Sequence, residues 1–523
     1  MINSVLKNNI GTLLEKASET YGAKKVLHFH DDNVSFSYRQ LNDMVNQYAV
    51  VLQSAGISKG DHLAVMLSNR PEFFLVWLAL AKIGAVAVPL NIRYQVEDLE
   101  YVLNNSDAIG LVIEDEFAEV FRQARANTPN VKTVFTVGEK AADLGLDLPQ
   151  LAADKPTDFN GPEVTVETLM SIQYTSGTTG FPKGCMLTHE YWLTTGFVGA
   201  EMVTEDDIFL CVEPFYYMDP PWELLMCIMK GMTMVAAKSY SPSRFMPLVR
   251  QYDITISWAL LSYWIYKQPE SPLDKAHKLR MLLSGAILKD VHKQFEERFN
   301  VPLREGYGMT EIGPGIVMPL EDSHMSGSGS VGKPTKFRSM KIVDDEGREV
   351  AQGEVGELWV SGAGLFKGYY RNPEATAAAF AGEWFRTGDL FRQDADGYYF
   401  IVGRKKDMIR RAGDNVAAAE VENVLMSHPK ILSAAVVAVP DPDRREEVKA
   451  YVIVAQGESQ QTIPPQEIIE FCKDRLADFK VPRYIEYKEV FPLTPTGKIR
   501  KPNLLLEKDN LTEGCYDRLS EKN

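Results

Sequence analysis

LMSIQYTSGTTGFPKGCMLTH, residues 169–189, decides how the rest of this chain is read. An apolar run, LMSIQY, leads into residues 174–184, where Thr175, Ser176, Thr178 and Thr179 supply hydroxyls, Gly177, Gly180 and Gly184 supply close backbone approach, and Lys183 supplies charge. A second apolar run, CMLTH, follows. Glycines let successive N–H groups turn toward one anion, hydroxyls add donors, and a lysine adds positive charge, so the loop has the parts of a polyphosphate cradle. Its spacing is not that of GxxxxGK[ST]. Standing alone, a Ser/Thr/Gly run is usually a flexible linker. Here it sits between two strand-like segments, which argues for a built loop.

Working outward, the first half alternates strand and helix patterns. DHLAVML (61–67), the segment 86–90, IGLVIEDE (109–116) and VKTVFTV (131–137) read as buried strands, with a helix starting near Pro71. Such alternation predicts an α/β fold with a largely parallel sheet. Residues 73–90 are the most hydrophobic stretch. Lys82 interrupts them and Pro89 ends them, so they read as a buried helix, Gly84 and a strand rather than a membrane span. Beyond Gly329 the pattern changes to short strands with Gly-rich turns. KIVDDEGREV predicts a hairpin turning at Asp345-Glu346-Gly347, and GELWVSG another strand. From Gly403 the chain reads as a compact α+β unit: helix AAEVENVLMSHP, strands ILSAAVVAVPD and VKAYVIVA, helix PQEIIEFCKDRLADF. The expected division is 1–403 and 404–523, with the boundary at residues 403–407.

Bulk properties agree with a multidomain globular protein. At 523 residues the chain exceeds one ordinary core, and 45% apolar with 24% charged residues is a globular composition. A net charge of −15 argues against nucleic acid as partner. The five cysteines (185, 211, 227, 472, 515) form no CxxC pair, which argues against zinc and suits a reducing compartment. No signal-peptide stretch opens the chain, so a cytoplasmic location is expected, with a homodimer left open.

Further motifs fall in order behind the loop. Ser284-Gly285-Ala286 is a small-residue turn. Gly306-Tyr307-Gly308-Met309-Thr310-Glu311 combines an aromatic plane, a flexible turn, a hydroxyl and a carboxylate. WFRTGD (384–389) sets Asp389 at a tight turn. GRKKDMI (403–409) puts a basic run at the expected boundary, and PTGKIRK (495–501) carries Lys498. His189, isolated after the loop, reads as structural.

Together these motifs resemble those of the adenylate-forming superfamily: acyl-CoA synthetases, beetle luciferases and adenylation domains of peptide synthetases. The likeness covers nearly the whole chain. It implies a large N-terminal domain of layered α/β sheets with a β-rich subdomain, and a small mobile α+β C-terminal domain. It implies an AMP-forming acid–CoA ligase using ATP, Mg²⁺ and coenzyme A. Thr175, Ser176, Gly177, Thr178, Thr179, Gly180 and Lys183 would hold phosphates. Gly285, Ala286, Tyr307 and Gly308 would face adenine, Thr310 the α-phosphate, Glu311 the metal, Asp389 the ribose and Arg404 the nucleotide. Lys406 would be the hinge, Gly413 would line the coenzyme A tunnel, and Lys498 would act on the reacting carboxylate and α-phosphate. ATAAAF (375–380) and SHPKI (427–431) broadly resemble crotonobetaine/carnitine–CoA ligases. In PFYYMDPPWE (214–223), Tyr217 replaces the family's histidine, and Asp219 and Glu223 add acidity. With Trp222, Trp258, Tyr263, Trp264 and Tyr266 this predicts either an aromatic, acidic pocket for a cationic acid or a flat aryl pocket. Loading of a carrier protein, an oxidase activity and a non-catalytic nucleotide-binding role are the competing readings.

Overall fold

The computed structural model describes residues 8–175, 182–259, 262–285, 287–411, 414–494 and 498–520. Two large sheets dominate. One runs, in spatial order, Leu146–Asp147, Thr133–Val137, Gly110–Glu114, His62–Met66, Val86–Pro89, Leu169–Thr175 and Lys183–Thr188. All its pairings are parallel except the last, where the two strands around the phosphate loop pair antiparallel with Thr175 opposite Lys183. The other runs Lys333–Pro334, Gly313–Val317, Leu303–Met309, Met281–Ser284, Ile256–Trp258, Ile208–Cys211, Thr233–Ala236, Lys25–Phe29 and Val34–Ser37. Its pairings from Leu303–Met309 through to Lys25–Phe29 are parallel, and those beyond them at either end are antiparallel.

Strands buried on both faces read as unbroken apolar runs, which is why GLVIE and MLLS carry no alternation. Pro71–Ile83 is buried at every position from Phe73 onward. Lys82 within it pairs with Glu15 at 2.7 Å and with Asn42 and Asn46 at 2.9 and 2.7 Å, so its charge is satisfied inside the fold. Among the described residues no helix is long and apolar enough to cross a membrane.

A third sheet joins Arg338–Val343, Gly356–Gly362, Trp384–Gln393, Phe380–Ala381 and Tyr399–Arg404. A fourth begins at Met408 and holds Asp414–Ala417, Ile431–Asp441, Arg445–Val454, Tyr484–Tyr487 and Tyr516–Asp517. It encloses its own apolar cluster, including Ile409, Val421, Leu425, Val436, Val448 and Ile468.

Two local expectations change. The KIVDDEGREV hairpin forms where it is expected: the Gly347 N–H donates to the Asp344 carbonyl at 3.1 Å, the Asp344 N–H to the Arg348 carbonyl at 2.9 Å and the Val350 N–H to the Ile342 carbonyl at 3.0 Å, beside a Val343–Glu349 bridge. The long partner of Arg338–Val343 is GELWVSG, six residues in register. Gly306 and Gly308 lie in a strand, not a turn. A Cβ on Gly308 would sit 2.6 Å from the Gly313 carbonyl, so the residue is small because two backbones touch there. WFRTGD is likewise part of a ten-residue strand rather than a tight turn. Gly388, at φ +71°, makes an irregularity in it, with a register shift between Glu357 and Trp359 on the partner strand, and that irregularity re-aims Asp389.

Candidate active site

Parallel strands end at one edge of their sheet, and ligands bind in the crevice beyond those carboxyl ends. Ile208–Cys211, Ile256–Trp258 and Met281–Ser284 deliver Glu213, Trp258 and Gly285 to that edge, and Leu303–Met309 runs past it into Thr310 and Glu311. A Cβ on Gly285 would meet nothing, so backbone faces open space there. Ser284 anchors the turn by donating to the Ala259 carbonyl at 2.9 Å.

Glu311 and Asp389 are the two acidic centres, 6% and 7% exposed. The Tyr369 hydroxyl donates to Glu311 Oε1 at 2.8 Å, and Lys183 Nζ stands 4.9 Å from the centre of the Tyr369 ring. Burial raises the Glu311 pKa. The Tyr369 hydrogen bond and the charges of Lys183 and Arg404 oppose that rise. The Tyr307 hydroxyl donates to Asp389 Oδ2 at 2.7 Å while Arg404 Nε lies 3.2 Å from Oδ1. Burial raises the Asp389 pKa too, countered by Arg404, Tyr307 and Lys498.

Lys498 arrives from the last part of the chain. Its N–H donates to the Thr494 hydroxyl at 3.0 Å and its carbonyl accepts from the Thr494 N–H at 2.7 Å. By surface area the side chain is exposed, yet burial is the leading cause of its lowered pKa. The geometry that reconciles the two is a crevice open to solvent on one side. Arg404 lowers the pKa further, whereas Asp389, Glu311 and Asp219 raise it, so all four charges face Lys498. Lys406, lowered first by burial and then by Arg404, also feels Asp407, Asp389 and Lys183. Arg404 is thus paired with Asp389, and Lys183 lies against the tyrosine that donates to Glu311.

Ser176, Gly177, Thr178, Thr179, Gly180, Ala286 and Gly413 lie outside the described residues. Thr175 and Lys183 hold the two ends of the loop, Thr175 Oγ1 donating to the Lys183 carbonyl at 3.4 Å. His189 is buried, accepts the Ile10 N–H on Nδ1 at 3.2 Å, and has its pKa pushed down to about 3 by burial, which fits a structural residue.

The aromatic residues named for the acyl region each have identifiable neighbours. Tyr217 packs edge-on against Tyr216, with ring centres 5.0 Å apart. Trp222 is 2% exposed and packed over Gly199, where an added Cβ would meet its ring at 2.7 Å. Its indole N–H donates to Asp219 at 3.2 Å. Trp258 lies beside Gly306. Tyr263 instead donates to the Met426 carbonyl at 3.4 Å, and Tyr266 donates to Gln294 at 2.7 Å. Sequence proximity misplaces these last two, and Trp264 packs on Tyr263.

Sequence reasoning misses Tyr369. It is set beside Glu311 because residues 367–370 lie along Lys183–Thr188, with Lys367 and Tyr370 N–H groups donating to Met186 and Gly184 at 2.8 Å each. Its only sequence signal is the Gly-Tyr-Tyr run shortly before ATAAAF.

This crevice, with its cations, carboxylates and open glycine rim, defines a nucleotide-handling enzyme of the layered α/β type. The chain belongs to the AMP-binding enzyme family, which matches residues 14–370, and the AMP-binding enzyme C-terminal domain matches residues 420–498. A crotonobetaine/carnitine–CoA ligase of Salmonella paratyphi A is 36% identical over 515 residues, covering 95% of this chain and 98% of its own. One from Proteus mirabilis is 34% identical over 516 residues, covering 95% and 99%. Among solved structures, the anthranilate CoA ligase AuaEII bound to anthranoyl-AMP superimposes with a TM-score of 0.87 at 27% identity, covering 96% of this chain and 97% of that one. ATP-bound MatB from Rhodopseudomonas palustris gives 0.85 at 26% identity, covering 96% and 99%.

Proposed function

We propose that this protein is an AMP-forming acid–CoA ligase. In the first step a carboxylate oxygen attacks the α-phosphorus of ATP in line, the bond to the bridging oxygen breaks, and pyrophosphate leaves. In the second, the thiol of coenzyme A adds to the acyl carbon, AMP leaves, and the thiol proton passes to solvent. The observation that carries this reading is the meeting of Lys498, Arg404, Glu311 and Asp389 in one crevice.

The chemistry is positioning and electrostatics. Lys183 and the loop it closes hold the outer phosphates. Tyr307 and Gly285 flank the adenine, Gly308 lets the strand beneath it approach closely, and Thr310 contacts the α-phosphate. Asp389 accepts from the ribose hydroxyls, and Arg404 steadies it. Lys498 neutralises the charge that grows as carboxylate and α-phosphate meet. Glu311 is a hard oxygen donor that suits Mg²⁺, whose shell phosphates and water would complete. Bound there, Mg²⁺ would offset the charge of the departing pyrophosphate.

Residues 404–523 form the unit that moves between steps, pivoting at Lys406, after which the loop at Gly413 faces coenzyme A. Five free cysteines fit a cytoplasmic enzyme. Acid-dependent pyrophosphate release from ATP, followed by coenzyme A-dependent AMP release, tests the reading. Pyrophosphate release without any requirement for an acid would refute it.

A further inference from the structure

The strand that carries Asp389 does not run evenly along its partner. Glu357 stands opposite Leu390, but Trp359 stands opposite Arg386, so Thr387, Gly388 and Asp389 together face Leu358 alone. The surplus leaves the ladder, and Gly388 takes up φ +71° within it. Backbone groups expelled from a ladder need partners of their own. The Asp389 N–H donates to the Thr387 hydroxyl at 3.1 Å, and that hydroxyl donates in turn to the Leu358 carbonyl at 2.7 Å. The Gly388 N–H donates to a side chain of the neighbouring strand, Oε1 of Glu357, at 3.2 Å.

Glu357 is 8% exposed, and its other oxygen is occupied as well. Lys405 Nζ lies 3.1 Å from Glu357 Oε2 and 2.9 Å from Oδ1 of Asp345. Asp345 is largely exposed in its hairpin turn, so water competes for that pair, whereas the Glu357 side chain is sheltered. Lys405 follows Arg404, which faces Asp389 across the strands and pairs with it through its side chain at 3.2 Å. A closed ring results, from Glu357 to Gly388, from Asp389 to Arg404, and from Lys405 back to Glu357. Tyr307 and Arg404 hold the Asp389 carboxylate itself. Glu357 holds the backbone from which that carboxylate springs. With Oε2 bound to an ammonium, the Glu357 carboxylate is kept from turning, and Oε1 stays on Gly388.

We propose that Glu357 is a positioning residue, which sets Asp389 for the ribose by fixing the kink at Gly388, while Lys405 fixes Glu357. The inference rests on the ligase reading, in which Asp389 accepts from the ribose hydroxyls, and adds to it a carboxylate that acts only through the strand. A charged acceptor suits the place, because hydrogen bonds to ionised groups are the stronger kind. Without it the Gly388 N–H loses its partner, and three residues outside the ladder are free to settle in another path. Asp389 would then meet the ribose at the wrong distance, although its own side chain is unchanged.

The test is binding of AMP and of 2′,3′-dideoxy-AMP to the full-length enzyme, measured by calorimetry, which needs no acid. The wild type is expected to bind AMP about 10- to 100-fold more tightly, the size of hydrogen bonds to a charged group. Glu357→Ala is expected to cut that ratio to a few-fold and to leave the affinity for the dideoxy compound nearly unchanged. Glu357→Gln keeps an oxygen for Gly388 and is expected to retain most of the ratio. Should the unpaired Lys405 prevent Glu357→Ala from folding, Glu357→Leu combined with Lys405→Met removes both charges together and is expected to show the same loss. A wild-type ratio in the variants that lack the carboxyl, or equal weakening of both ligands, overturns the proposal and leaves the ligase standing. A ratio that Glu357→Gln does not recover overturns it too. Equal binding of the two ligands by the wild type removes the ribose role of Asp389 from the ligase reading, and this proposal with it.

Discussion

The two ends of the crevice are electrostatic opposites. At the nucleotide end, Lys183, Arg404, Lys406 and Lys498 face Glu311 and Asp389, and each carboxylate has protein donors: Tyr369 for one, Tyr307 and Arg404 for the other. At the acyl end, Glu213 and Glu223 are fully buried and burial with neighbouring carboxyls raises the pKa of both, while the Val212 N–H donates to Glu213 and the Trp222 indole to Asp219. A site whose charges are already balanced needs its ligand mainly for chemistry. A buried cluster of carboxyls is held by keeping protons instead. The first end stands on ion pairs and hydrogen bonds, and the second on burial and protonation.

The sharpest way to break this contrast is at Lys498. Lys498→Ala is expected to reduce acyl-adenylate formation about 100- to 1000-fold, in the range of lost transition-state stabilisers, while thioester formation from a supplied acyl-adenylate changes only a few-fold. Equal losses in both half-reactions would contradict its role. Next comes Glu213. Burial and Asp219 push its pKa up to about 8 from 4.5. The folded state therefore holds a proton that the unfolded state has released, and stability is fully present below pH 4.5 and declines as pH rises toward 8. Glu213→Gln is expected to flatten that decline in denaturant titrations at successive pH values. Each tenfold change in a proton equilibrium is worth about 1.4 kcal/mol, so the difference amounts to several kcal/mol at most.

Tyr369→Phe sharpens the comparison from the balanced end. Without the hydroxyl, Glu311 loses the bond that opposes its raised pKa. The expected result is roughly a tenfold loss of adenylation, consistent with one hydrogen bond to a charged group. The magnesium requirement rises, and the loss shrinks as pH increases. A pH-independent loss would mean that the tyrosine only packs. The smallest effect is expected at Lys501, which lies 2.7 Å from Glu422 and 3.8 Å from Asp407 and so ties the Lys498 segment to the pivot. Lys501→Met is expected to lower adenylation a few-fold and to spare the thioester step, as measured by separate half-reaction assays.

Legibility in the sequence follows the range of the forces involved. The strand at Ile431–Asp441 lies where ILSAAVVAVPD places it, and helix Pro71–Ile83 starts at its proline, because burial patterns and backbone restrictions are local. The KIVDDEGREV hairpin turns where its Asp-Glu-Gly places it, whereas the turns expected at GYGMTE and WFRTGD rest on glycines that lie in strands, such as Gly308 beside Gly313. Lys183, Glu311, Asp389, Arg404 and Lys498 stand out because clusters of small, charged and hydroxyl residues have few structural uses. Tyr369 does not, since a tyrosine is unremarkable until its hydroxyl is seen beside a carboxylate. Tyr263 and Tyr266 mislead for the converse reason, since closeness along the chain is not closeness in space.

By itself the sequence determined the alternating strands and helices, the phosphate loop and the kinds of charge brought to a nucleotide, because each depends on residues within a few positions of one another. Only the tertiary structure decided that Glu213 and Glu223 crowd together in the core, and that the Tyr369 and Tyr307 hydroxyls donate to Glu311 and Asp389. Those facts depend on which sheet edges and helix ends meet, and on how much water their meeting removes.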